Sequence, residues 1–332
     1  MEQCIRFCTT EDGVRIAYAT SGAGLPIVRP GHWLTHLEYD LKSPVWNHLL
    51  AGLSERHLLV RYDPRGTGLS DRDVSDISPE GWLRDLEAVV RDLALPRFAL
   101  LGISQGAATA IRYCARHPER VSHLVLYGAY ARGRLHRDDP QFGPDMLDAM
   151  CTLIEKGWGS EDASYRELFS SRYVASGSRE AIAWMNDLEA VSASPRMAAR
   201  YFRAIADIDV RPLLPKLHVP TLVLHCRDDR AVPYRFGVEL AAAIAGARFV
   251  PMEGASHLFL EHEPACRTFF DEVPRFLGDR PQRFSRRALA RRGRSWRELV
   301  SRVHHAVEPY YVIAAVGSAL AGAASYLLSR LG

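Results

Sequence analysis

Short apolar runs alternate with stretches of helical periodicity along most of this chain. An opening pair, Ile5 to Thr10 and Val14 to Thr20, flanks Glu11-Asp12-Gly13 and reads as a hairpin. Further strand-like runs follow at Pro26 to Arg29, His57 to Tyr62, Phe98 to Ile103, His123 to Tyr127, Thr221 to Cys226 and Ala247 to Pro251. Several are continuously apolar, as expected of strands covered on both faces. Helical patterns fill the intervals at Ser43 to Glu55, Pro79 to Leu93, Gln105 to Arg116, Tyr234 to Ala245 and Pro264 to Leu277. Ser78 is placed to cap the second of these, with Pro79 at its first helical position. This alternation predicts an α/β fold: a mostly parallel, eight-stranded sheet with helices on both faces.

The alternation breaks between the sixth and seventh strands. Residues 132–211 carry helical spacing, as in Ala181, Trp184, Met185 and Leu188, and many aromatic and methionine side chains. They are expected to form a helical cap on a core made of residues 1–131 and 212–278. Most of the cap's aromatics should build its own small core, and a minority should face a pocket.

Beyond the core the pattern changes again. Residues 279–308 form an arginine-rich linker in which only Glu298 opposes the run from Arg280 to Arg302. Residues 309–329 follow as a hydrophobic segment. Tyr310 to Leu328 has no charged residue and would span about 28 Å as a helix, enough to cross a bilayer. Arginines before it would hold the preceding domain in the cytoplasm, and Tyr310, Tyr311 and Tyr326 sit where interfacial aromatics belong. A membrane anchor is the expectation. A helix buried against other protein, mediating oligomerisation through its small-residue spacing, is the competing one, and a remnant without a fixed structure is a third.

Composition adds limits. With 332 residues, 47% of them hydrophobic, there is ample material for a large core. A net charge of +3 is too small to imply nucleic-acid binding. Six cysteines show no zinc-type spacing and suit reduced, mostly packed thiols in a cytoplasmic domain. The N-terminal residues lack the basic and apolar blocks of a signal peptide.

The chemistry centres on Gly102-Ile103-Ser104-Gln105-Gly106. A serine at a sharp strand-to-helix turn needs small neighbours, because bulky ones would clash with the adjoining strand and helix. Here an apolar strand precedes the motif and a helical pattern follows it, which is the context that makes Ser104 a nucleophile candidate. A serine hydroxyl needs a base. His257 lies in a loop after the last strand, and Asp228 and Asp229 lie just past the seventh; spacing leaves both acids open. His225 falls inside a strand and reads as packing, while His32 and His36 stand near the loop after the third strand. An oxyanion needs two preorganised N–H groups. The backbone of Gln105 supplies one candidate. His32 supplies the other, since Pro30 has no N–H and Gly31 serves the turn.

Together with Tyr62-Asp63-Pro64-Arg65-Gly66-Thr67-Gly68-Leu69-Ser70, these motifs resemble the α/β-hydrolase superfamily over Ile5 to about Leu277. More narrowly, His36-Leu37-Glu38-Tyr39-Asp40, Pro44-Val45-Trp46 and Leu260-Glu261-His262-Glu263-Pro264 resemble a bacterial branch found alone or fused to adenylate cyclase and LuxR-type regulator domains. Two positions depart from the usual pattern: Cys226 stands where a small residue or glycine is common, and Pro30-Gly31 replaces a His-Gly pair. The resemblance implies Asp229 as the acid, third after Cys226, completing Ser104 and His257. It implies hydrolysis of a carboxylic ester or related acyl compound, without metal or organic cofactor. The same constellation supports acyl transfer, lactone opening, C–C hydrolysis or perhydrolysis, and the fold can also serve as a non-catalytic sensing or partner-binding module. A small-molecule acyl substrate, lipid-like if the tail meets a membrane, is the expected partner.

Overall fold

The computed structural model describes residues 2–32, 34–139, 142–160 and 170–279. Eight strands form one sheet: β1 (Cys4–Thr9), β2 (Arg15–Ser21), β3 (Leu25–Arg29), β4 (His57–Tyr62), β5 (Phe98–Ile103), β6 (Val121–Tyr127), β7 (Thr221–Cys226) and β8 (Arg248–Met252). Their order across the sheet is β1-β2-β4-β3-β5-β6-β7-β8. β1 and β2 pair antiparallel, as does β2 with β4, and every later pairing is parallel. Each strand-like run of the sequence becomes a strand within a residue or two of its expected limits.

β5, inside the sheet, and β7, one strand in from its edge, are both covered on either side. All six residues of each are buried, because helices cover both faces. The helices lying wholly among the described residues are α1 (Leu37–Asp40), α2 (Asn47–Ser54), α3 (Pro79–Asp92), α4 (Gly106–Arg116), α5 (Pro144–Gly157), α6 (Arg179–Ser192), α7 (Pro195–Ala206), α8 (Arg235–Ala243) and α9 (Pro264–Leu277). Local chemistry fixes their starts. The side chains of Ser78, Ser178 and Ser194 accept hydrogen bonds from Gly81 N, Ala181 N and Met197 N, and Pro79 and Pro195 open α3 and α7.

Between β6 and β7 the chain runs through α5, α6 and α7. This helical insert is fastened to the turn after β4. Gly68 N donates to Ser192 O, Tyr201 Oη donates to Arg65 O, and Arg72 reaches Val191 O. Trp82 stacks on Tyr201 at 5.4 Å. Its aromatics divide: Trp158 and Tyr201 are buried, Trp184 lies against Tyr39, and Tyr173 and Phe202 reach a cavity. Tyr165 and Phe169 lie outside the described residues.

The Asp63-to-Ser70 segment is a scaffold for that turn. Asp63 Oδ2 accepts from Leu37 N and Leu69 N, and a Cβ at Gly68, whose φ is +51°, would fall 2.1 Å from the same oxygen. Arg65 is buried between Asp85 and Asp12. The six cysteines are free, with Cys4 exposed and the others buried. The arginine-rich linker from residue 280 and the hydrophobic segment 309–329 lie outside the described residues. Among the described residues, no helix is long and apolar enough to cross a membrane.

Candidate active site

Ser104 follows directly on β5 and precedes Gln105, the N-cap of α4. Its φ is +51°, a left-handed conformation uncommon for a residue with a side chain. The backbone is held there by Ser104 N donating to Tyr127 O at 2.9 Å. The flanking glycines permit the turn. A Cβ at position 102 would lie 2.6 Å from Ala107 Cα, and one at position 106 would lie 2.9 Å from Pro30 O.

His257 is fully buried beside it, in the loop between β8 and α9. Its Nδ1 lies 2.7 Å from Asp229 Oδ2. The other oxygen of Asp229, Oδ1, accepts from Ala231 N and Val232 N, so the carboxylate is fixed by its own loop. Asp229 is held below the usual carboxylate range: burial opposes this, and the His257 charge and hydrogen bonds outweigh it. Asp228 is exposed, its N–H tied to Gly254 O. The structure therefore brings Asp229, and not Asp228, to the histidine.

The remaining ring nitrogen, Nε2, is buried and makes no hydrogen bond among the described residues. Ser104 and His257 line one small cavity with His32, Trp46 and Tyr173. The serine and imidazole are thus neighbours without a hydrogen bond between them.

His32 sits in the loop after β3. Its ring lies tilted against Trp46 at 5.2 Å, and burial together with Arg29 and His257 holds its pKa well below the ordinary value. It is neutral at physiological pH. The backbone N–H groups of His32 and Gln105 donate to no acceptor among the described residues. His36 instead caps α1, its Nδ1 accepting from Tyr39 N.

Some positioning residues have no motif to announce them. Gly128, with φ +56°, ends β6 against the imidazole; a Cβ there would lie 2.8 Å from His257 Cε1. Tyr127 donates from its hydroxyl to His257 O at 2.5 Å. His225 is more than core filler. Its Nε2 donates to Val232 O at 2.8 Å and stands 3.5 Å from Asp229 Oδ2, bracing the acid's loop. Glu263 accepts from Leu260 N and shapes the return into α9.

A larger cavity, of about 340 Å³, opens over Ser104 and Gln105 beneath the helical insert. Phe142, Met146, Met150 and Phe202 give it apolar walls, and Arg134, Arg137 and Arg172 also line it.

Comparison with known proteins agrees with this architecture. A family model described as alpha/beta hydrolase fold matches residues 40–264. The AB hydrolase superfamily protein YisY of Bacillus subtilis is 29% identical over 76% of this chain and 91% of its own length. The non-heme chloroperoxidase CPO-A1 of Kitasatospora aureofaciens is 29% identical over 75% and 91%. An esterase structure from Exiguobacterium antarcticum superposes with a TM-score of 0.69 at 28% identity, covering 82% of this chain and 99% of that one.

Proposed function

The chain belongs to the α/β-hydrolase fold family, and from that premise we propose that it is a serine hydrolase cleaving a carboxylic ester or related acyl compound through Ser104, His257 and Asp229. One observation carries the reading. A serine in a strained strand-to-helix turn shares a cavity with an imidazole whose far nitrogen is engaged by a buried carboxylate.

His257 Nε2 takes the proton of Ser104 Oγ as that oxygen attacks the carbonyl carbon. Asp229 fixes the tautomer with hydrogen on Nδ1 and stabilises the cation that forms. The N–H groups of Gln105 and His32 receive the oxyanion. His257 then returns its proton to the departing alcohol, and water, activated by the same base, releases the acyl group. The esterase from Exiguobacterium antarcticum, 28% identical to this chain, supports the choice of an ester as substrate. A fluorophosphonate probe should label the wild type and leave Ser104→Ala unlabelled; equal labelling of the two would sink the assignment.

A further inference from the structure

The large cavity carries charge that the hydrolytic reading does not use. Buried arginines elsewhere are neutralised: Arg29 and Arg61 share Asp40, and Arg65 meets Asp85 at 2.8 Å. The cavity's arginines, half-buried at Arg134 and Arg137 and exposed at Arg172, are not matched in this way among the described residues. Arg134, Arg137 and Arg172 form no ion pair among the described residues. Arg134 lies with its guanidinium 4.9 Å from the Phe142 ring centroid. Arg137 covers Phe236 at 4.2 Å and Tyr130 at 4.9 Å and donates from Nε to Arg132 O. Among the described residues Asp139 is the one acid on the lining, against three guanidinium groups.

Burial and the neighbouring charge of Arg172 both push the Arg134 pKa down, and burial lowers Arg137 to about 10. Aromatic faces attract a cation weakly at partly exposed sites and leave the guanidinium edges free to donate. Those edges can meet a carboxylate with paired hydrogen bonds. Tyr173 links this cluster to the reacting centre: it follows Arg172 in sequence, and its ring lies edge-on to His257 at 5.8 Å.

We propose that the cavity over Ser104 binds an ester or lactone bearing a carboxylate, which Arg134, Arg137 and Arg172 receive. The inference rests on the hydrolase reading for its chemistry, but binding can be measured apart from turnover. Two substrate pairs place the charge on either side of the scissile bond. Mono-4-nitrophenyl adipate is compared with its methyl ester, and 4-acetoxybutanoate with its methyl ester, read by acetate release. In at least one pair the carboxylate form should have the higher kcat/KM by about tenfold or more, the worth of a charge-assisted contact. Raising the salt concentration should shrink that ratio. The double substitution Arg134→Gln, Arg172→Gln should cut it by about tenfold, with the melting temperature as a folding control. Calorimetry on Ser104→Ala should show monomethyl adipate or 4-acetoxybutanoate binding more tightly than its neutral methyl ester.

The two readings fail separately. Hydrolysis of the neutral esters with no preference for either carboxylate, and no tighter binding of either acid, would overturn the anionic site and leave the hydrolase intact. Selective binding of an acid without turnover or fluorophosphonate labelling would do the reverse.

Discussion

At the scale of residues, the distinction between two adjacent acids is the sharpest test of the site. Asp229 contacts His257 and is 7% exposed, whereas Asp228 faces solvent. Asp229→Asn keeps the shape but lets the side-chain amide present a donor to Nδ1, favouring the wrong tautomer. By analogy with the serine-protease triad, kcat should fall by about three to four orders of magnitude. Asp228→Asn should change kcat by less than about twofold, as expected of a solvated loop charge. Steady-state kinetics on one ester decides both, and equal losses would overturn the role given to Asp229. Sequence spacing left the two acids open because both follow the same strand. What separates them is the turn geometry, with Asp228 N bound to Gly254 O and Asp229 Oδ1 bound to Ala231 N and Val232 N. Gly128 was illegible for a different reason. Its role is to leave room for a ring far away in sequence, and no local pattern encodes that.

At the scale of elements, the junction of β5 and α4 is coupled to the loop after β3. Gly106 opens α4 where a Cβ would press on Pro30 O at 2.9 Å and Gly31 O at 3.2 Å. That loop also carries the His32 N–H. Gly106→Ala should therefore push apart the N–H groups of His32 and Gln105, the proposed oxyanion donors, while leaving the fold recognisable. Loss of one such donor lowers kcat by roughly 10²–10³, so kcat should drop toward that range with a smaller change in KM. A burst of alcohol release that slows with kcat would place the loss at acylation, and unchanged acylation would refute the coupling. The strands and this junction were readable because strand runs, glycines and a helix start sit next to one another in the chain. The arginines of the large cavity were not. Arg134 and Arg137 lie just after β6 and Arg172 lies before α6, and only the fold of the insert brings them to one wall.

At the scale of the whole molecule, burial of neutral histidines ties stability to pH. His32, His48 and His225 are all buried, and burial lowers the pKa of each. In the unfolded chain each would take up a proton near pH ~6.5. The folded chain resists protonation until lower pH, so the unfolded state binds more protons in the interval between. Stability from these groups is therefore full above that pH and is lost as pH falls toward the folded values. For His48, whose folded pKa is about 4, the window is wide. Its share of the loss by pH 5 is about 2 kcal/mol. Carboxylates titrating over the same range shift the total curve, so the informative quantity is a difference between proteins. His48 packs edge-on to Phe259 at 5.5 Å, away from Ser104, which makes it the safest of the three to replace. His48→Leu should unfold in urea with a stability that falls less between pH 7.5 and pH 5 than the wild type's, by about 2 kcal/mol. Parallel curves for the two proteins would show that this histidine does not remain neutral in the folded state.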